Sequence, residues 1–397
     1  MEFQLSFLAA FTLLLSIAVP GAPAGLADKQ TTASAPAPEM KVLPMSDREK
    51  HGLQGAVKTC IEETAYPGGT AADGTQFPER SFGYTTEYDV DGRIMVIRTQ
   101  NSDGSEWVTR YTYGPSGHLL KIAAGKESEP SQETDYSYDG QGRLLKISDS
   151  LTPDNPISFR YDERGRKTKV QVSRGSDYRP NTAVAGSPFE VADMAPSLPG
   201  GGSATTIYDE DDRPTEVQIR DAQNKLVSRA VRTYDAQGRV DEEKQILDNP
   251  ETMIPSEALE KILAESGASH QELLEQLRDQ LTKLMGGEAG PFSIIYDYDA
   301  QGRVKQMRRR IFDEEQVIET TYNEHGDKAT EITRSTKIVS GKEQSEPNSK
   351  LAPYSELHYS YRYDSYGNWI EENLSHRSSP DGAFESSNRR QRMLTYY

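Results

Sequence analysis

Along much of the chain apolar residues recur at every second position in short runs, and each run closes on a tyrosine followed by a polar, glycine-bearing stretch. Tyr111, Tyr136, Phe159, Tyr296 and Tyr361 each stand two residues before such a tyrosine, and Tyr84, Ile157, Ile294, Ile318 and Tyr359 stand four before. Alternate residues of a strand share a face, so every run is predicted to be a strand with one apolar, largely aromatic stripe. Beyond the glycine, Val170 with Val172 and Val217 with Ile219 again fall on one face. Ile94 and Ile97, or Leu144 and Ile147, are spaced by three, which predicts a β-bulge beside the turn.

The closing stretch is a motif, Tyr-Asp-x-x-Gly-Arg. Copies begin at Tyr88, Tyr113, Tyr138, Tyr161, Tyr208, Tyr234, Tyr298, Tyr322 and Tyr363, at a period near 24 residues broken by three insertions. The glycines Gly92, Gly117, Gly142, Gly165, Gly238, Gly302, Gly326 and Gly367 stand four residues after the tyrosine, and Asp212 alone departs. A turn position that needs positive φ selects glycine in this way. Asp89, Asp139, Asp162, Asp209, Asp235, Asp299 and Asp364 are placed to accept backbone N–H groups inside the turn. Arg93, Arg143, Arg166, Arg213, Arg239 and Arg303, four residues later, are placed to pair with the preceding aspartates.

The repeat is thus strand, turn, strand, and no hairpin buries its face alone. The sequence predicts an all-β fold of stacked antiparallel β-hairpins forming one long curved sheet. Residues 51–58 and 392–397 read as atypical strands at its two ends. Stacked tyrosine stripes would offer Tyr111, Tyr136, Tyr296 and Tyr361 as a binding face. Of the insertions, Asp177 to Gly202 and Gly341 to Leu351 read as surface loops. The third, 254–287, predicts an αα-hairpin: Leu259, Ile262 and Leu263 share one helical face, Leu273, Leu277, Leu281 and Leu284 another, and Ser269 with Glu272 forms a capping box. Its apolar stripe either seals the sheet or receives a partner.

YDxxGR copies at this period resemble the YD repeats of Rhs and teneurin-type proteins, over roughly residues 52 to 397. The resemblance implies extracytoplasmic β-hairpins, which in the large members spiral into a shell around a C-terminal toxin or carry cell-surface contacts. Nine copies are too few for such a shell, and neither a toxin domain after Tyr397 nor an autoproteolytic signature is read. The closer likeness is to short exported YD-repeat proteins.

The N-terminal segment agrees with export. Leu5 to Val19 is an unbroken apolar and small-residue run, shorter than a bilayer span, followed by Ala22 and Ala24. Residues 1–24 are expected to be a signal peptide, with an uncleaved anchor as the alternative, and 25–47, rich in Ala, Pro, Ser and Thr, a disordered linker before the YD-repeat domain 48–397. No transmembrane span is expected after cleavage. The protein is then periplasmic, secreted or on the cell surface.

Composition narrows the chemistry. With 45 basic residues against 62 acidic, a formal charge of −17, and no basic block, a nucleic-acid partner is not expected. One cysteine, Cys60, excludes an internal disulfide framework and reads as an inert strand residue. Six scattered histidines show no metal-ligand spacing, and no nucleotide-binding or nucleophile-elbow motif occurs, so no cofactor, metal or catalytic residue is assigned. The expected function is a non-catalytic scaffold that binds an envelope polysaccharide or protein. The alternative is an envelope glycan hydrolase using acidic residues of the sheet face.

Overall fold

The computed structural model describes residues 45–70, 75–100, 104–127, 129–172, 201–249, 260, 264, 269, 271–276, 292–311, 314–339, 342–344 and 354–397. The expected signal peptide (1–24), nearly all of the linker (25–47), most of both surface loops and most of the helical insertion lie outside them. Of that insertion, 271–276 are helical, the Ser269 and Glu272 side chains exchange the capping-box hydrogen bonds (3.3 and 3.1 Å), and Leu273 is buried.

A single helical turn, α1 (Asp47–Lys50), precedes the strands. These are β1 (Val57–Tyr66), β2 (Gly69–Thr70), β3 (Gln76–Phe77), β4 (Arg80–Tyr88), β5 (Ile94–Gln100), β6 (Glu106–Tyr113), β7 (Leu119–Lys126) and β8 (Glu129–Tyr138). There follow β9 (Leu144–Asp149), β10 (Ile157–Tyr161), β11 (Lys167–Val172), β12 (Gly202–Tyr208), β13 (Pro214–Asp221), β14 (Leu226–Tyr234), β15 (Val240–Leu247) and β16 (Phe292–Tyr298). The last are β17 (Val304–Ile311), β18 (Glu314–Tyr322), β19 (Lys328–Val339), β20 (Lys342–Gln344), β21 (Tyr354–Tyr363), β22 (Trp369–Arg377) and β23 (Glu385–Tyr396).

Each predicted repeat is an antiparallel hairpin, but the expected long curved sheet with two ends is corrected by the strand pairing. β1 hydrogen-bonds to β4 on one side and to β23 on the other, with Glu62 opposite both Tyr84 and Arg392. The pairing order then runs through consecutive strands and returns to β1, a closed antiparallel β-barrel topology of twenty strands. The short β20 extends the hairpin from β19. Closure removes the two unpaired edges that an open array would have to protect. The segments read as separate end pieces are therefore one seam.

The predicted bulge is present at every motif turn whose register is described. Tyr88 pairs with Ile94 while Glu87 pairs with Val96, and the same shift falls at Tyr113, Tyr138, Tyr161, Tyr208, Tyr234, Tyr322 and Tyr363.

The strands form two compact units. In the one comprising Ile157–Tyr296 with Arg309–Asp313, Val170 lies opposite Ala204 and Val217 opposite Ala230, all buried, so large and small residues interdigitate across neighbouring strands. In the other (Ala24–Pro156, Asp297–Arg308, Glu314–Tyr397), the core is Leu53, Val57, Cys60, Tyr88 and Ile94, with Ile97, Tyr111, Leu394 and Tyr396 packed against it. Here the segment from Ser46 to Ala56 fastens the first motif turn to the last. Arg48 N donates to Gly92 O (2.9 Å), Asp47 Oδ2 accepts from Ile94 N (3.1 Å), and Gln54 exchanges two hydrogen bonds with the Asn368 side chain (2.5 and 3.1 Å).

Candidate functional site

The motif side chains come together as predicted within each turn. Asp89 Oδ1 accepts the Arg93 backbone N–H (2.9 Å) and Oδ2 accepts Arg93 Nε (2.7 Å). The same pair of bonds joins Asp139 to Arg143, Asp162 to Arg166, Asp209 to Arg213, Asp235 to Arg239 and Asp299 to Arg303. The Arg143 backbone N–H foremost holds the Asp139 carboxyl below the usual carboxylate range. In the last repeat Asn368 takes the arginine's place and bonds Asp364. The motif glycines have φ between 78° and 89°, and Asp212 adopts 61° in the same position. Asp212 Oδ1 also accepts from Arg164 (2.8 Å) and Arg166 (2.6 Å).

Sequence reasoning missed what the motif tyrosines do. Several of these phenols reach back to the preceding repeat and donate to the carbonyl of the residue just after its turn. Tyr113 bonds Ile94 O (2.9 Å), Tyr138 bonds Leu119 O (2.7 Å), Tyr208 bonds Lys167 O (2.7 Å), Tyr234 bonds Pro214 O (2.8 Å) and Tyr322 bonds Val304 O (2.8 Å). The motif arginine of the earlier repeat lies over the same ring: Arg93 over Tyr113, Arg166 over Tyr208, Arg213 over Tyr234 and Arg303 over Tyr322, at 4.4–5.1 Å. Where histidine replaces that arginine, His118 stacks on Tyr138 (4.7 Å). Tyr363 receives His325 (3.9 Å) and donates to Asp327 Oδ2 (2.7 Å). Tyr161 and Tyr298 are half-buried beside their turns, and Tyr88 is buried with its phenol 2.7 Å from His51 Nδ1. A further turn of this kind, Asp221 to Lys225 with Asn224 at φ 66°, lacks the tyrosine and escaped the motif.

The expected binding face is half-buried. Tyr111 pairs with Ile122 and Tyr136 with Ile147, Tyr111 packs on the core, and Tyr296 and Tyr361 are likewise half-covered. Tyr361 is sandwiched along β21 between Tyr359 (6.5 Å) and Tyr363 (5.8 Å). The opposite face of β4 to β8 carries charge instead: Arg98 bonds Glu87, Glu106 and Glu127 (3.2–3.3 Å), Arg110 pairs with Glu127, and Lys121 with Glu133 and Asp135.

At the seam lies a buried charge cluster. Glu62 accepts from Arg390 (2.6 Å) and Arg392 (2.9 Å), Arg390 also pairs with Glu372 (3.1 Å), and both guanidiniums lie over Trp369, at 4.7 and 3.5 Å. Burial pushes the Glu62 carboxyl up, but the charges and hydrogen bonds of Arg392 and Arg390 outweigh it and hold the group below the usual carboxylate range. Such a carboxylate has no proton to give at neutral pH, and its bonds place it as an anchor between β1 and β23. Burial raises the Cys60 thiol to about 11 and lowers His51, which stays neutral.

Beside the cluster an open cleft of about 860 Å³ runs along β1, β4, β5 and β6, where the register puts Arg80, Phe82 and Tyr84 on the face of Glu62 and puts Glu63, Arg98 and Glu106 on the other. Phe82 is 61% exposed and meets Tyr66 edge-on at 6.1 Å. Nothing in the motif pointed here; the signal was Gly83 between two aromatic residues in a strand.

The Teneurin YD-shell family model matches residues 78–181, a span that holds the first four motif copies. No curated protein matches the sequence. Among solved structures, a porin-like protein from Bacteroides uniformis aligns at 9% identity over 86% of this chain and 98% of its own, with a TM-score of 0.31. A second porin-like protein, from Bacteroides vulgatus, aligns at 9% identity over 87% and 99%, with a TM-score of 0.20. A beta-barrel-like protein from Brucella abortus, carrying a domain of unknown function, aligns at 8% identity over 87% and 99%, with a TM-score of 0.15. Motif, turn geometry and family model agree that the chain carries YD-type repeats.

Proposed function

We propose that this is a short exported YD-repeat scaffold, non-catalytic, that binds a carbohydrate or a protein at the cell envelope or outside the cell. The observation that carries the reading is the tyrosine relay. The motif's carboxylates and guanidiniums bond within each turn while its phenols reach from repeat to repeat, so together they build a support rather than a reacting site. The charge cluster points the same way, since its carboxylates Glu62 and Glu372 are both engaged by Arg390. The ion-pair lattice on the charged face of β4 to β8 supports a face bathed in water, because each arginine or lysine there would cost ~2–4 kcal/mol facing lipid at mid-bilayer.

Affinity capture from envelope extract with the full chain, alongside a glycan array, tests the reading. A saturable ligand is expected, without turnover. Capture of nothing on either platform overturns it, as does hydrolysis of any glycan abolished by a single carboxylate substitution.

A further inference from the structure

We infer that the seam is a tenth copy of the repeat, divided between two distant segments of the chain, and that residues 46–56 are the clasp that completes it. The nine motif hairpins, of two strands each, leave two of the twenty strands, β23 and β1. The register across these two repeats the motif position by position. In the first repeat Tyr88 pairs with Ile94 and Glu87 with Val96, and the Asp89 N–H donates to Arg93 O (2.9 Å). Across the seam Tyr396 pairs with Val57 and Thr395 with Thr59, and the Tyr397 N–H donates to Ala56 O (3.0 Å). Tyr396 thus stands at the motif tyrosine, Ala56 at the arginine and Gly55 at the glycine. Gly55 has the positive φ that its place requires, 75°.

The neighbouring repeat holds Tyr396 as it would a motif tyrosine. The phenol donates to Asp364 Oδ2 and accepts from Asn368 Nδ2 (2.9 Å), while Tyr366 stacks on its ring at 4.5 Å. One repeat earlier Tyr363 is held in the same way, by Asp327, Asn323 and the His325 ring.

What this copy lacks, the clasp supplies. Tyr397 and Ala56 stand where an aspartate and an arginine would pair, and the chain is not continuous between Tyr397 and Gln54. Elsewhere the carbonyl just after the turn accepts the next repeat's phenol. At the seam that carbonyl is Val57 O, and Arg48 Nη1 donates to it instead (3.2 Å). The phenol that would have reached it, Tyr88, is turned to His51 of the same segment (2.7 Å). Gln54, in the position before the glycine, is held through both its backbone groups by the Asn368 amide. A segment that belongs to no repeat therefore bridges the one break between repeats.

The test is the rate at which a disulfide reagent labels Cys60, buried in β1 at the seam, in the full chain and in sub-denaturing urea. Arg48→Met, Tyr396→Phe and Gly55→Ala should each raise the rate by about tenfold, as ~1.4 kcal/mol on a local opening equilibrium does. Gly165→Ala puts the same left-handed strain on another repeat's turn and should leave the rate within about twofold of wild type. Ala56→Arg with Tyr397→Asp installs the missing pair, and should label more slowly than either single variant. Arg48→Met alters no turn backbone, so the test stands even where Gly55→Ala fails to fold. Equal acceleration by Gly165→Ala, or none by Arg48→Met and Tyr396→Phe, overturns the clasp. A double variant that labels no more slowly than the single ones overturns the tenth repeat.

Discussion

The phenol of Tyr234 donates to the carbonyl of Pro214 at 2.8 Å while the Arg213 guanidinium lies over its ring at 4.8 Å, so one side chain closes the gap between two repeats in two ways. Tyr234→Phe keeps the ring and removes the hydrogen bond, and is expected to cost ~0.5–1.5 kcal/mol. Tyr234→Leu gives up the cation–π contact as well, a further ~0.5–1 kcal/mol. Urea unfolding midpoints should fall in the order wild type, Phe, Leu; equal midpoints for wild type and Phe would show that the relay contributes nothing.

Two motif glycines separate backbone strain from packing. At Gly165, φ is 81° and an added Cβ meets nothing within 4 Å, so Gly165→Ala should cost only the left-handed penalty, ~1–2 kcal/mol. At Gly92, with the same φ, the Cβ meets Ser46 Oγ at 2.8 Å and Ser46 Cβ at 2.9 Å. Gly92→Ala should therefore lower the thermal midpoint further, and deleting residues 1–52 should abolish the difference between the two variants.

The seam cluster is more demanding. Removing one member of a buried ion pair leaves the other uncompensated, at ~3–5 kcal/mol. Glu62→Gln and Arg392→Met are each expected to destabilise by that order, whereas Arg389→Met, whose partner contact to Glu371 is exposed, should cost ~0–1 kcal/mol. Comparable losses at all three positions would remove the argument from burial.

Glu356 supplies a pH dependence. The hydrogen bond from Tyr354 is the largest effect on it, and with those of Arg377 and His358 it outweighs burial and holds the carboxyl at about 2, against an ordinary 4.5. Because the folded-state value is depressed, its contribution is complete above 4.5 and is lost as pH falls toward 2. Tyr354→Phe should shift this acid loss to higher pH, read by circular dichroism between pH 5 and 2 (about the interval those two values bound). Superimposable profiles would contradict the assignment.

Burial that raises Cys60 to about 11 keeps it a protonated thiol. A disulfide reagent should leave the native protein unlabelled for hours and react fully in denaturant. Rapid native labelling would mean that the seam opens.

How much of this was legible in the sequence follows the range of the interactions. The turn aspartates, the glycine conformation and the bulge depend on residues within about one repeat of each other, and spacing alone located them. The spacing places the tyrosines on strands, but a period of two assigns a face and says nothing about which carbonyl a phenol will reach. Closure was illegible for a stronger reason. The partners of β1 lie in β23, Glu62 pairing with an arginine 328 residues away, and no local pattern marks that match. No local pattern singles out Glu62, Arg390 and Arg392, because hydropathy cannot see an opposite charge supplied from the far end of the chain.

The pairing of β1 with β23 also sets an order of events. As the chain emerges from the N-terminus, β4 can dock on β1 at once, but the other edge of β1 stays unsatisfied until the final dozen residues of the domain arrive. During that interval Glu62 has no guanidinium and the edge offers bare backbone groups to any neighbouring strand. Completion of the last strand, rather than collapse of any one repeat, is then the step at which this protein becomes safe from its own copies.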